Sequence, residues 1–246
     1  MPTQNGIVRP QKPKEIAKKN HLYTLPSTHF AKSAYADPDL QELLAETVMF
    51  GTWESRWSAV RTAIRLSTDL HSVLDTIKGF VISQSLRTPK FLRLNREKID
   101  AAGMDFGGVD DATNFAISGI MLLPVLKENC VAEIIENRNL RNFITSDNPA
   151  THWIHDPIAN TLTHLGGIAL NSELNRNPNY RILCPIHPKA FAVLSPNIGI
   201  QKSDAEKNRI RFRPCSPDIL NRLNQMVDEA ADKMLFAKEI TDLHPS

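Results

Sequence analysis

The chain has 246 residues, of which 41% are hydrophobic and 23% charged, and its 29 Lys and Arg against 27 Asp and Glu leave a formal net charge of +2. Ordinary apolar content with nearly balanced charge excludes an intrinsically disordered chain; 10 Gly exclude a collagen-like repeat, and 3 Cys exclude a disulfide-built scaffold. What remains is a globular protein long enough to bury a substantial core.

Residues 1–38 read as a basic arm and a loosely ordered opening segment, with Arg9, Lys12, Lys14, Lys18 and Lys19 and several prolines. No apolar stretch follows these cations, so a secretory signal is not expected. The longest apolar run, residues 115–126, is too short to span a bilayer. Cys130, Cys184 and Cys215 are odd in number and widely spaced, which reads as free thiols in a reducing compartment. The expectation is a cytoplasmic protein with no membrane partner.

Residues 39–246 read as one domain. Asp39 with Glu42 suits a helix start that resembles a capping box. From about Thr52 a second helix sets Trp53, Trp57, Val60 and Ile64 on one face and Glu54, Arg61 and Arg65 on another. A third follows Thr68, with Leu70, Leu74, Ile77 and Val81 as its buried line and Pro89 as its stop. Shorter helices are expected around Phe91–Ile99, ending near Gly103, and from Asp110 or Asp111 to Pro124. After residue 130 the pattern changes to short runs rich in β-branched and aromatic residues: 132–136, 142–146, 151–155, 180–186, 190–194 and 208–213. The first two look like one hairpin, and the runs flanking His187-Pro188-Lys189 like another. Ser216, Pro217 and Asp218 form a strong helix start. The helix they open is expected to run over 216–240. The order of elements predicts an α+β fold: a helical N-terminal half over 39–129, a small, mostly antiparallel sheet over 130–214 and a long C-terminal helix.

Four groups of residues could carry chemistry. Asp147, in Thr145-Ser146-Asp147-Asn148-Pro149, sits at the end of an apolar strand, where a carboxylate can hold a metal or accept a proton. The same residues also suit a turn in which Asp or Asn bonds its own backbone. Phe80, Gln84 and Arg87 share one helix face, so Arg87 could offer its fork to a carboxylate or phosphate, or could tie the helix end to nearby carbonyls. His152 and His155 fall on opposite strand faces, and Cys184 with His187 lacks a second pair to complete a zinc set. Finally, alternation in Asn208-Arg-Ile-Arg-Phe-Arg-Pro214 puts Arg209, Arg211 and Arg213 on one face. Three forks in a row could follow a phosphate backbone, and charges on an edge strand also block aggregation.

Phe143-Ile-Thr-Ser-Asp-Asn-Pro149, Gln84-x-x-Arg87-Thr88-Pro89 and Arg181-Ile-Leu-Cys-Pro-Ile-His-Pro188, in a helical half followed by a strand-rich half, resemble a microbial family known as domain of unknown function 4238. The resemblance covers roughly residues 50–235, and the opening segment around His21 and His29 matches only loosely. It implies that Glu54, Gln84, Arg87, Asp147 and Asn148 converge. On that basis the leading functional expectation is a metal-dependent hydrolase of phosphodiesters, nuclease-like and related to toxins or phage defence. Asp147 and Glu54 would hold Mg²⁺ or Mn²⁺, Arg87 would stabilise an anionic group, Gln84 would complete the site, and Asn148, Arg209, Arg211 and Arg213 would contact the substrate. The alternative is a noncatalytic protein that binds an anion or a partner, with nucleic acid as the partner its basic strips suggest.

Overall fold

The computed structural model describes residues 51–66, 70–86, 88, 93, 97, 100, 101, 103, 128–156, 158, 161–164, 177–196, 210–231, 235–238 and 242. The basic arm, the helix expected from Asp39 and the one expected over 110–124 lie outside these residues.

Helix α1 spans Gly51–Leu66 and α2 spans Leu74–Leu86, with a short 3-10 turn at Leu70–Val73 between them. The line Leu70, Leu74, Ile77 and Val81 read from the sequence is buried; of the face expected on α1, Val60 is buried, Trp57 and Ile64 are partly buried, and the Trp53 side chain lies outside the described residues. Val60 and Ala63 of α1 and Leu70, Leu74, Ile77, Val81 and Ile82 of the turn and α2 form the inner face, while Arg56, Arg61 and Arg65 face solvent. Trp57 stacks on Phe80 with ring centroids 3.8 Å apart, which fixes α1 against α2. Helix α2 stops before Thr88-Pro89, as proline requires. Gly103 takes φ +63 and donates its N–H to the carbonyl of Asp100, the left-handed helix ending expected there.

Among the described residues the strands up to the C-terminal helix are β1 (Cys130–Glu136), β2 (Thr145–Ser146), β3 (Thr151–Asp156), β4 (Thr161–His164), β5 (Tyr180–His187), β6 (Ala190–Pro196) and β7 (Ile210–Pro214). Six of them form one sheet in the order β4-β3-β5-β6-β1-β7. All its pairings are antiparallel except β1 with β7, which is parallel. The fold is therefore α+β, with a mostly antiparallel sheet. The hairpin expected around Pro188-Lys189 is β5–β6, with a register break between Pro185 and His187. The one expected between 132–136 and 142–146 does not form. The N–H of Asn142 is taken by the Asp242 carboxylate, that of Phe143 by the Pro188 carbonyl and that of Ile144 by the Asn224 side chain. With its donors engaged elsewhere, this segment leaves the sheet, and only Thr145–Ser146 pairs, with β8 (Leu235–Phe236). Strand β4 has no counterpart among the runs expected from the sequence.

The sheet is covered on both faces, so its strands carry apolar residues at consecutive positions rather than in simple alternation. One face meets α1 and α2 through Ala132, Ile134, Ile182, Cys184, Ala192 and Leu194. The other meets the C-terminal helix through Ile135, Trp153, Leu183 and Phe191. Fully burying a side chain such as Ile182 or Phe191 contributes about 1.5–3 kcal/mol, so the two apolar layers are the main source of stability.

Helix α3 spans Pro217–Ala230. Ser216 accepts the N–H of Ile219, Pro217 opens the first turn, and Leu220, Leu223, Met226, Val227 and Ala230 are buried. It stops ten residues short of the end expected at 240. Ala231 is extended (φ −57, ψ 145), and Leu235–Phe236 pair as a strand with β2. Tertiary pairing overrides the helical propensity of the residues after Ala230. No described helix is long and apolar enough to cross a membrane.

Candidate functional site

The Thr145–Pro149 turn runs from β2 to the start of β3, beneath the end of α3. Ser146 is buried, and its Oγ accepts the N–H of Asn148 at 3.1 Å. Asn148 is buried too, and its amide donates to the carbonyl of Ala230 at 3.0 Å. Asp147, held between two anchored neighbours, is half-buried. The side chain of Asn148 thus serves the helix end, while that of Asp147 has the partial exposure a reacting or ligating carboxylate needs.

The segment leading into this turn is fixed by polar side chains. The Asn137 amide donates to the Arg141 carbonyl, and its Oδ1 accepts from both the backbone and the side chain of Asn139. Lys189 points its ammonium into the carbonyls of Asn139, Leu140 and Arg141, at 2.6, 3.3 and 3.2 Å. Asn142 gives both its backbone N–H and its amide to the Asp242 carboxylate, at 2.8 and 2.9 Å. Asn224 of α3 accepts the N–H of Ile144 and donates to the carbonyl of Asn142. None of Lys189, Asn142, Asn224 or Asp242 stands out in the sequence by motif. The signal that could have found them is the density of asparagine just before Thr145, because a buried segment outside the sheet must satisfy its backbone with side chains.

Gln84 lies half-buried near the end of α2. Glu54 belongs to α1, but its side chain, like the whole of Arg87, lies outside the described residues. The expected convergence of Glu54, Gln84 and Arg87 on Asp147 falls there too. Among the described residues no three His, Cys, Asp or Glu side chains group as metal ligands would.

Strand β7 is the last strand of the sheet on its side among the described strands. Ile210 anchors it in the core, and Arg211, Phe212 and Arg213 are all exposed, Phe212 by 48%. Arg209, the third arginine of the strip, lies outside the described residues. In register, Arg211 lies beside Glu133 and Arg213 beside Ile135. Glu133 also acts on half-buried Arg181, whose pKa is lowered by burial and partly restored by that carboxylate. Among the described residues neither the Arg211 nor the Arg213 side chain makes an ion pair or hydrogen bond.

His152 is buried, and its Nδ1 is hydrogen-bonded to the Tyr180 hydroxyl, while His155 is half-buried; both lie in β3, whose alternation puts them on opposite faces. Cys130, Cys184 and Cys215 are free thiols. Burial pushes the Cys130 thiol up to about 12, with Lys78 opposing, and raises Cys184 and Cys215 as well. Thiols held protonated in this way are poor nucleophiles. No family model matches the chain, and no curated protein or solved structure does either.

Proposed function

We propose that this protein is a noncatalytic polyanion-binding protein whose contact surface is the outer strand β7, with single-stranded nucleic acid as the partner. The observation that carries this reading is the exposed run beyond the anchoring Ile210, in which Arg211, Phe212 and Arg213 stand together. A nucleic-acid strand lying along this edge sets its phosphates on the arginine side and a base on the face of Phe212. Aromatic stacking with guanidinium contacts is the chemistry of sequence-tolerant single-strand binding. Arg213, beside apolar Ile135, contributes more than Arg211, whose neighbour Glu133 offsets its charge. The test is fluorescence anisotropy of a labelled single-stranded oligonucleotide across a salt series. Arg213→Ala is expected to weaken binding and flatten the dependence of log K on log salt by about 0.7. An unchanged affinity and slope in the Arg211→Ala/Arg213→Ala double variant would reject the reading.

A second reading, metal-dependent phosphodiester hydrolysis, is favoured by the fixed, half-exposed placement of Asp147 between anchored Ser146 and Asn148. In it Asp147 and Glu54 bind Mg²⁺ or Mn²⁺, while Gln84 and Arg87 orient the anionic group.

A further inference from the structure

The sheet face that meets α3 has a covered end and an open one. Residues in register stand on the same face, so Glu133 of β1 has Val193 of β6 on one side and Arg211 of β7 on the other. Two positions along the strands, the pair Ile135 and Phe191 is buried in the layer that α3 covers. Two positions the other way, Val131 pairs with Ser195. Arg181 of β5 continues that row, because its neighbour Ile182 pairs with Leu194. Val131, Glu133, Val193, Ser195 and Arg181 are half-buried and Arg211 is exposed, so this end of the face is open to solvent.

Two charged groups are held there. Nη1 of Arg181 donates to the carbonyls of Pro178 and Tyr180, both at 2.7 Å. These bonds fix the guanidinium, and its Nε and Nη2 make no hydrogen bond among the described residues. The Glu133 carboxylate makes no hydrogen bond or ion pair among the described residues. Its neighbours on this face are apolar Val131, Val193 and Ile135, and Arg211. A half-buried carboxylate without donors is unfavourable, and in a surface that binds a polyanion it also repels the ligand. A ligand that brings hydrogen-bond donors to it offsets both costs.

An ionised carboxylate only accepts, through two oxygens side by side. Among the bases of a single strand, guanine alone sets two donors next to each other on its Watson–Crick edge, N1–H and the N2 amino group. We propose that Glu133 reads guanine in the strand held along β7, with the base lying over Val131 and Val193 and with Arg211 and Arg181 on the flanking phosphates. This role rests on the reading of β7 as a single-strand contact and adds to it a base preference. It also extends the contact inward from the edge, to β5 about 10 Å from β1 across the sheet.

The experiment is fluorescence anisotropy of the full chain with labelled oligothymidines that carry guanine, hypoxanthine or thymine at the central position. Hypoxanthine keeps N1–H and lacks only the N2 amino group. The guanine strand should bind about tenfold more tightly than the hypoxanthine strand, the loss of one charge-assisted hydrogen bond, and the thymine strand no more tightly than the hypoxanthine strand. Glu133→Gln keeps the side-chain size and should bring the affinities to within about twofold of one another. It should also hold the thymine strand at least as tightly as wild type does, because one negative charge is gone. Arg181→Gln should weaken all the strands alike and flatten the dependence of log K on log salt by about 0.7, with the guanine preference kept. Equal wild-type affinity for the guanine and hypoxanthine strands, or a guanine preference that survives Glu133→Gln, would overturn the role of Glu133 and leave the β7 reading standing. Binding of none of the strands would overturn both.

Discussion

The amide nitrogen of Asn148 lies 3.0 Å from the carbonyl oxygen of Ala230, the last residue of α3, and joins the turn after β2 to the end of a helix 82 positions away. The bond satisfies one of the four carbonyls a helix leaves open at its C-terminus. Asn148→Ala removes this buried bond between the turn and the helix end and should cost about 1–3 kcal/mol in urea unfolding. Asn148→Asp should cost more, because it sets a carboxylate against the negative helix end. A milder effect for Asp than for Ala would contradict this account.

Ser216 makes a separable contribution at the other end of α3. Ser216→Ala removes the acceptor for the Ile219 N–H and should lower stability by about 0.5–2 kcal/mol, whereas Ser216→Asp should be near neutral. Thermal unfolding of the two variants side by side measures the cap.

Lys189 holds the carbonyls of Asn139, Leu140 and Arg141. Lys189→Met keeps most of the side-chain volume and loses all three bonds. It should cost about 1–3 kcal/mol and raise amide exchange over residues 137–142. Unchanged exchange there would mean that the asparagines alone fix the loop.

Acidification should weaken the fold through His187. Its pKa is lowered in the folded chain from the ordinary value of 6.5, so the unfolded chain takes up the proton first. The stability it contributes is complete above 6.5 and is lost as pH falls from there toward the folded value. Beyond burial, the charges of Arg61, Lys238 and Lys189 oppose its protonation. Chemical denaturation between about pH 7.5 and about pH 5 should show a smaller stability loss in His187→Asn than in wild type.

Asp147→Asn separates the two functional readings. Under the hydrolytic reading it abolishes Mg²⁺ or Mn²⁺ binding and activity while the melting temperature holds, since Asn keeps the turn. Under the polyanion-binding reading it leaves oligonucleotide affinity unchanged. Calorimetry with each ion and anisotropy on the same two proteins decide between them.

Much of the fold was legible because local chemistry and tertiary packing agree. The line Leu70, Leu74, Ile77 and Val81 is buried where its spacing put it, and Ser216-Pro217-Asp218 opens a helix because the cap is made within four residues. The errors fall where distant residues decide. Residues 142–144 have strand-like composition, but Asp242, Asn224 and Pro188 claim their N–H groups. The C-terminal helix has apolar spacing past Ala230, yet Leu235 and Phe236 pair with Ser146 and Thr145. For the candidate site, the sequence marked the Asp147 turn and the arginine strip of β7. The side chains that fix residues 137–144, Lys189, Asn224 and Asp242, were invisible to it, because only the fold brings them to that segment.

The contact between Asn142 and Asp242 also bears on how the protein is made. Both the backbone N–H and the amide of Asn142 depend on a carboxylate 100 residues later, and β2 depends on Leu235 and Phe236. As the chain leaves the ribosome, strands β1, β3, β5 and β6 can pair while Asn142, Ile144, Thr145 and Ser146 still lack their partners. Leu235, Phe236 and Asp242 therefore close the structure around the Asp147 turn late, and a ribosome stalled before residue 235 would carry the sheet without that closure.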